Sequence, residues 1–186
     1  MLIREQLRIG IYIDGANIFY ACKEANQNLD FIKLSRFVIK RFGQQDNLYP
    51  KIAFKRYYTA LPGPFDISFG QRGFLDMLDI HGYEIITREL KEIYQEDGTT
   101  RKKGDMDATI GFDLSEYSDQ CDIVVLVAGD GDYKLPLLKL LRKGKKILII
   151  SSELSISKEM RELAQEYENF DFILFEEYSQ LWMVER

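Results

Sequence analysis

The sequence predicts an α/β fold, a three-layer α/β/α sandwich around a central, mainly parallel sheet. Three observations lead there. Apolar runs of strand length, Ile9 to Ile13, Ile123 to Ala128 and Ile147 to Ile150, alternate with segments of helical periodicity. That alternation is the pattern of parallel strands joined by crossover helices. The runs are apolar at nearly every position, as strands covered on both faces are. Two of them end in glycine and aspartate, at Asp14-Gly15 and at Gly129-Asp130-Gly131-Asp132.

In chain order, the strand Ile9 to Ile13 leads into a helix near Asn17 to Ala25. A second helix is expected from Phe31 to Phe42, capped by Asp30, with Leu34, Phe37 and Val38 at helical spacing. Lys51 to Ala60 reads as a strand rich in aromatic residues. Leu61-Pro62-Gly63-Pro64 forces a loop, because proline removes a donor and restricts the residue before it. A helix from Ile67 to Ile80 then stops at Gly82, and Tyr83 to Thr87 is the next short strand. Glu89 to Lys103 has the composition of a polar hairpin turning at Asp97-Gly98. A helix from about Asp105 to Tyr117 precedes the strand Ile123 to Ala128. Another, Tyr133 to Arg142, ends at Gly144 and returns through the strand Lys146 to Ile150. The tail offers a helix near Ser157 to Tyr167, a strand Phe170 to Phe175 and a last helical stretch carrying Trp182.

Length and composition bound the class. A chain of 186 residues suits one domain spanning 1–186, with a C-terminal helical extension from about 157. No apolar run approaches the ~20 residues of a membrane helix, and the N-terminus lacks the pattern of a secretory signal. Cys22 and Cys121 lie singly within apolar segments, which argues against a disulfide framework and for a reducing, cytoplasmic location. The net charge of −5 gives no overall attraction to nucleic acid. Local basic clusters at Lys51, Lys55 and Arg56, at Arg101 to Lys103, and from Lys139 to Lys146 are candidates for phosphate contacts, though solvated strand ends and helix faces are the simpler reading of each. The aromatic stretch around Tyr178 and Trp182 either closes the core or pairs with another copy as a homo-oligomer.

The acidic residues carry the chemistry. In an open parallel sheet, ligands bind beyond the carboxyl ends of strands where successive connections diverge. Asp14 and Asp130 each follow such an end, and Asp132 lies two residues further on. Asp107, near a helix start, can project into the same crevice, while Asp105 more naturally caps that helix. Gly15, Gly129 and Gly131 permit tight turns and close backbone approach there. Capping is the simpler reading of any one of these aspartates alone. It does not explain two carboxylates together at Asp130 and Asp132, nor two strands ending alike. Grouped carboxylates repel, so a compensating cation is expected, and oxygen-only ligands suit Mg²⁺ or Mn²⁺. Such an ion would stabilise charge on a phosphate and activate water, with a second ion as an option. Asn17 would orient Asp14, a water or a phosphate, and Lys103 is the nearest basic residue in sequence.

These segments carry a family resemblance. Ile13-Asp14-Gly15-Ala16-Asn17-Ile18-Phe19 resembles the opening motif of the NYN domain family, which includes the LabA-like proteins and is a branch of the PIN-like nucleases. Lys103-Gly104-Asp105-Met106-Asp107, with Asp113 six positions after Asp107, resembles the middle motif, and Val127 to Tyr133 resembles the third. The three occur in the family's order. The resemblance implies a PIN-like sandwich and Mg²⁺- or Mn²⁺-dependent cleavage of RNA. It makes Asp14, Asp107, Asp130 and Asp132 catalytic residues and metal ligands, with Asn17 and Lys103 binding substrate. Ala128 stands where the family usually has serine. The aromatic residues Tyr12, Phe19, Tyr57, Tyr58 and Tyr133 are candidates for base stacking, though core packing is the simpler expectation for most.

The alternative is a catalytically weak module that binds RNA or a nucleotide and regulates through protein partners. A haloacid-dehalogenase-like phosphatase requires a second aspartate two residues after the first, where this chain has Ala16. His81, the only histidine, precedes Gly82 at a helix end, which disfavours Ser-His-Asp chemistry.

Overall fold

Parallel strands without a polar face must be covered on both sides, and the structure, a computed structural model, shows how. It describes residues 6–43, 49–63, 66–94 and 100–185, with the side chains of 91–94, 100–103 and 179–185 outside the description. The chain runs β1 (Gln6–Asp14), α1 (Gly15–Glu24), β2 (Gln27–Leu29), α2 (Phe31–Phe42), β3 (Tyr49–Leu61), α3 (Phe69–Ile80) and β4 (Glu84–Glu89). Then come β5 (Lys91–Tyr94), β6 (Thr100–Lys103), α4 (Asp107–Glu116), β7 (Ile123–Val127), α5 (Lys134–Arg142) and β8 (Lys146–Ser151). The last elements are α6 (Lys158–Glu166), β9 (Phe170–Leu174), α7 (Phe175–Trp182) and β10 (Met183–Glu185).

The main sheet has six strands in the order β4-β3-β1-β7-β8-β9. All its neighbours are parallel. The chain therefore moves outward from β1 to β3 and β4, returns to β7 on the other side of β1, and moves outward again. The connections diverge between β1 and β7, whose register pairs Ile13 with Val127. This is the position where such sheets bind ligands.

Side-chain alternation builds two cores. Ile9, Ile11 and Ile13 of β1 join Ile123, Val125 and Val127 of β7 against α1 and α2. The intervening Val124 and Leu126 face the opposite way, onto Ile110, Leu137 and Met160 from α4, α5 and α6. Each such side chain, fully buried, contributes ~1.5–3 kcal/mol relative to exposure. The three expected layers are present. The segment after residue 157 adds more than helix, since β9 pairs in parallel with β8 at the sheet edge.

Two small antiparallel pairs lie outside the sheet. β5 and β6 form the expected hairpin, whose turn at Asp97-Gly98 lies outside the described residues. β2 and β10 pair Leu29 with Met183, an interaction the sequence reading did not foresee. Among the described residues, no helix is long and apolar enough to cross a membrane.

The basic residues before β8 sit at the sheet edge opposite the strand carboxyl ends. Lys143 reaches the Ser118 hydroxyl, Lys145 donates to the Cys121 carbonyl at 2.8 Å, and Lys146 lies over the Phe42 ring. Arg56 is buried between Asp113 (3.0 Å) and Glu84 (2.8 Å), with its guanidinium 3.3 Å from the centre of the Tyr117 ring. These cations are engaged in the fold.

Candidate active site

β1 delivers Asp14 to the switch point, and the turn into α1 fixes its carboxylate. Asp14 Oδ1 accepts hydrogen bonds from the backbone N–H of Ala16 (3.0 Å) and Asn17 (3.1 Å). Its Oδ2 accepts from the Tyr133 hydroxyl at 2.8 Å. The residue is buried, and desolvation raises its pKa, with hydrogen bonds opposing and the nearby Asp130 charge adding to the rise.

The turn after β7 supplies the next two carboxylates. It approaches the β8–α6 connection so closely that a Cβ on Gly129 would lie 2.2 Å from the Ser155 carbonyl oxygen and 2.3 Å from the Ser151 hydroxyl. Only glycine fits there without displacing backbone. Asp130 Oδ1 accepts from the Asp132 N–H at 3.0 Å, which turns the chain and carries Asp132 outward. Asp132 does not cap α5, whose first turn has no side-chain cap. The capping alternative therefore accounts for Asp14 but not for Asp132.

Asp107 opens α4. Asp105 Oδ1 accepts from its backbone N–H at 2.9 Å, but the N-cap position of α4 is Met106 and the helix has no side-chain cap, so the expected capping by Asp105 is not what starts it. Asp107 Oδ1 lies 2.7 Å from the Tyr133 hydroxyl. Desolvation, with added repulsion from Asp105 and Asp14, pushes the Asp107 pKa up to about 6. The Tyr133 hydroxyl has one proton for two carboxylates. It is the donor toward both, so Asp14 and Asp107 share it.

Oxygen atoms of Asp107, Asp130 and Asp132 all lie within 4.8 Å of one another. Asp14 does not join this group: one oxygen is held by two backbone donors and the other by Tyr133. None of the ion pairs among the described residues involves Asp14, Asp107, Asp130 or Asp132. Three converging carboxylates with no ion-pair partner among the described residues, one already raised in pKa, form a hard-oxygen donor set that fits Mg²⁺ or Mn²⁺.

The remaining candidates separate clearly. Asn17 Oδ1 accepts from the Gly129 N–H at 3.3 Å, tying α1 to the β7 turn and leaving Nδ2 as its donor group. Lys103 ends β6, and its side chain lies outside the described residues. Asp113 is not in the crevice. Six residues along α4 place it well around the helix from Asp107, where it binds Arg56 and accepts from the Tyr58 hydroxyl at 2.9 Å. Tyr12, Tyr57, Tyr58 and Tyr133 are buried, while Phe19 is 56% exposed.

Tyr133 packs in the core as expected, and its hydroxyl also joins Asp14 to Asp107, a role the sequence reading does not assign. A signal was present, because a buried tyrosine needs a partner for its hydroxyl, and this one directly follows the Gly-Asp-Gly-Asp turn.

Comparison with known proteins shows the family and the fold. The chain is 32% identical over 162 residues to the low amplitude and bright protein LabA of Synechococcus elongatus, covering 86% of this chain and 82% of that one. A crystal structure of a Vibrio parahaemolyticus protein of unknown function shares the fold, with a TM-score of 0.69 and 24% identity. That match covers 94% of this chain and 96% of the other. The sequence model of the NYN domain matches residues 8–171, which spans all three motifs and the strands that carry them. The chain belongs to the NYN domain family.

Proposed function

We propose that this protein is a metal-dependent endoribonuclease that hydrolyses RNA phosphodiester bonds at an aspartate-held Mg²⁺ or Mn²⁺ site. The observation that carries this reading is the convergence of Asp107, Asp130 and Asp132 at the β1–β7 switch point. Family membership supports RNA as the substrate. A phosphodiester is itself an anion, so an acidic crevice would repel it unless a cation lay between them. When bound, the ion supplies positive charge to a phosphate oxygen and makes nearby water more acidic.

The protein's own residues divide the remaining work. Asp107, Asp130 and Asp132 hold the ion. Asp14 adds negative charge from behind and, through Tyr133, fixes the direction of Asp107. Asn17 holds the Gly129 turn through Oδ1, and its Nδ2 serves as a donor for a phosphate oxygen. Lys103, four residues before Asp107, holds a flanking phosphate. Cys22 and Cys121, both buried and outside any disulfide, suit a reducing cytoplasm.

Cleavage of labelled RNA tests the reading. Wild-type protein should cleave with Mn²⁺ or Mg²⁺ and stop with EDTA, and folded Asp130→Asn should be inactive. Cleavage that persists in Asp130→Asn would place the activity elsewhere. Tight RNA binding by an inert wild type would replace the enzyme with the binding module.

A further inference from the structure

A second concavity opens beside the carboxylates. Between α1, α3 and the carboxyl ends of β1 and β3 lies a cleft of about 930 Å³. Its wall begins at Gly15 and Ala16, the two residues after Asp14, and includes Gly104, three residues before Asp107. The cleft wall therefore runs along the backbone segments that carry Asp14 and Asp107, the second of which belongs to the carboxylate cluster. A substrate held at the cluster lies against the mouth of the cleft.

The lining is aromatic, aliphatic and neutral. Phe19 and Tyr20 stand 56% and 64% exposed on α1, with ring centres 5.7 Å apart, and Phe74 lines the cleft from α3. Thr59, Gln71 and Asn28 add polar groups, and no charged side chain lines the cleft among the described residues. This combination is poor for a phosphate and good for a flat heterocycle, with rings for the π-face and a few donors and acceptors for the edge. The base is the uncharged part of a nucleotide. It can leave the acidic crevice for the neutral cleft while the phosphate stays at the ion.

We propose that this cleft receives one unstacked nucleobase next to the scissile phosphate, so that the substrate is single-stranded RNA. The proposal rests on the ribonuclease reading for its account of the phosphate. Bases in a duplex are paired and stacked, and entering the cleft would require breaking both. Stacking on an aromatic side chain is worth ~1–3 kcal/mol per base, which makes about a tenfold effect the expected scale for one ring.

The test uses nucleosides, which contain the base but no phosphate. The full-length protein, metal-free in EDTA and labelled with ¹³C at methionine methyls, is titrated with adenosine, uridine and ribose. The expected result is a saturable shift of the Met77 methyl with a nucleoside and none with ribose. Asp130→Asn should give the same nucleoside titration as wild type, and Phe19→Ala should weaken it about tenfold. With Mg²⁺, Phe19→Ala should raise the KM for single-stranded RNA by a similar factor and leave kcat unchanged. Absence of a Met77 shift, or an equal shift with ribose, overturns the proposal even if RNA is cleaved. So does a response to an apolar peptide in place of nucleosides, which would make the cleft a protein-docking site. Nucleoside binding in a protein that cleaves no RNA keeps the cleft and removes the nuclease.

Discussion

The Tyr133 hydroxyl lies 2.8 Å from Asp14 Oδ2 and 2.7 Å from Asp107 Oδ1, so one proton donor stands between two carboxylates from β1 and α4. Burial of Asp14 and Tyr133, with Asp107 half-buried, makes the arrangement sensitive to any change in proton count. It links the interior end of the crevice to the residue that opens α4.

Tyr133→Phe should therefore disturb the site without emptying it. The ring still fills its place, but Asp14 Oδ2 loses a buried donor, a loss worth ~1–3 kcal/mol. Urea unfolding should show that destabilisation. Mn²⁺ affinity should fall ~10–100-fold, the usual effect of removing a group that orients a ligand. An unchanged affinity would remove Tyr133 from the account of the site.

The raised Asp107 pKa makes a pH prediction. A carboxyl that binds its proton more tightly when folded stabilises the protein fully below its ordinary value of 3.8, and that contribution is lost as pH rises through about 6. Asp107→Asn does not titrate, so the metal-free variant should gain stability relative to wild type between pH 4 and pH 7. Allowing for partial solvent screening, the gain should be ~1 kcal/mol. Urea unfolding of both proteins in EDTA at the two pH values measures it, and an equal difference at both would contradict it.

Gly129→Ala should separate metal binding from folding. The added methyl meets the Ser155 carbonyl and the Ser151 hydroxyl, so the turn carrying Asp130 and Asp132 has to move. Overpacking of this kind costs ~1–3 kcal/mol. Circular dichroism should show a folded protein, while calorimetric Mn²⁺ binding should be lost or severely weakened.

Asp113 should behave in the opposite way. Asp113→Ala leaves Arg56 buried against Tyr117 with Glu84 as its remaining carboxylate partner, and breaking a buried pair costs ~3–5 kcal/mol. Thermal unfolding should register a large loss of stability. At a temperature where the variant is folded, its Mn²⁺ affinity should match wild type.

Much of this was legible in the chain, for identifiable reasons. Fully buried parallel strands are written as continuous apolar runs, so β1, β7 and β8 were readable along with the placement of Asp14 and Asp130 at their ends. The pairing of Leu29 with Met183 was not, because three-residue strands have no periodicity and their contact depends on the finished fold. Helical geometry could have set Asp113 apart from Asp107, whereas its partnership with Arg56 needed the sheet in place. The contact of the Tyr133 hydroxyl with both Asp14 and Asp107 was also hidden, since it brings together side chains from three separate elements.

The central claim is that Asp107, Asp130 and Asp132 form one divalent-cation site. Titration of Mn²⁺ followed by electron paramagnetic resonance measures it directly, because free and bound ion are distinguished in the same sample. Wild-type protein should bind Mn²⁺ saturably and in competition with Mg²⁺, and Asp130→Asn and Asp132→Asn should each lose that binding while remaining folded. Equal Mn²⁺ binding by wild type and both variants would contradict the account.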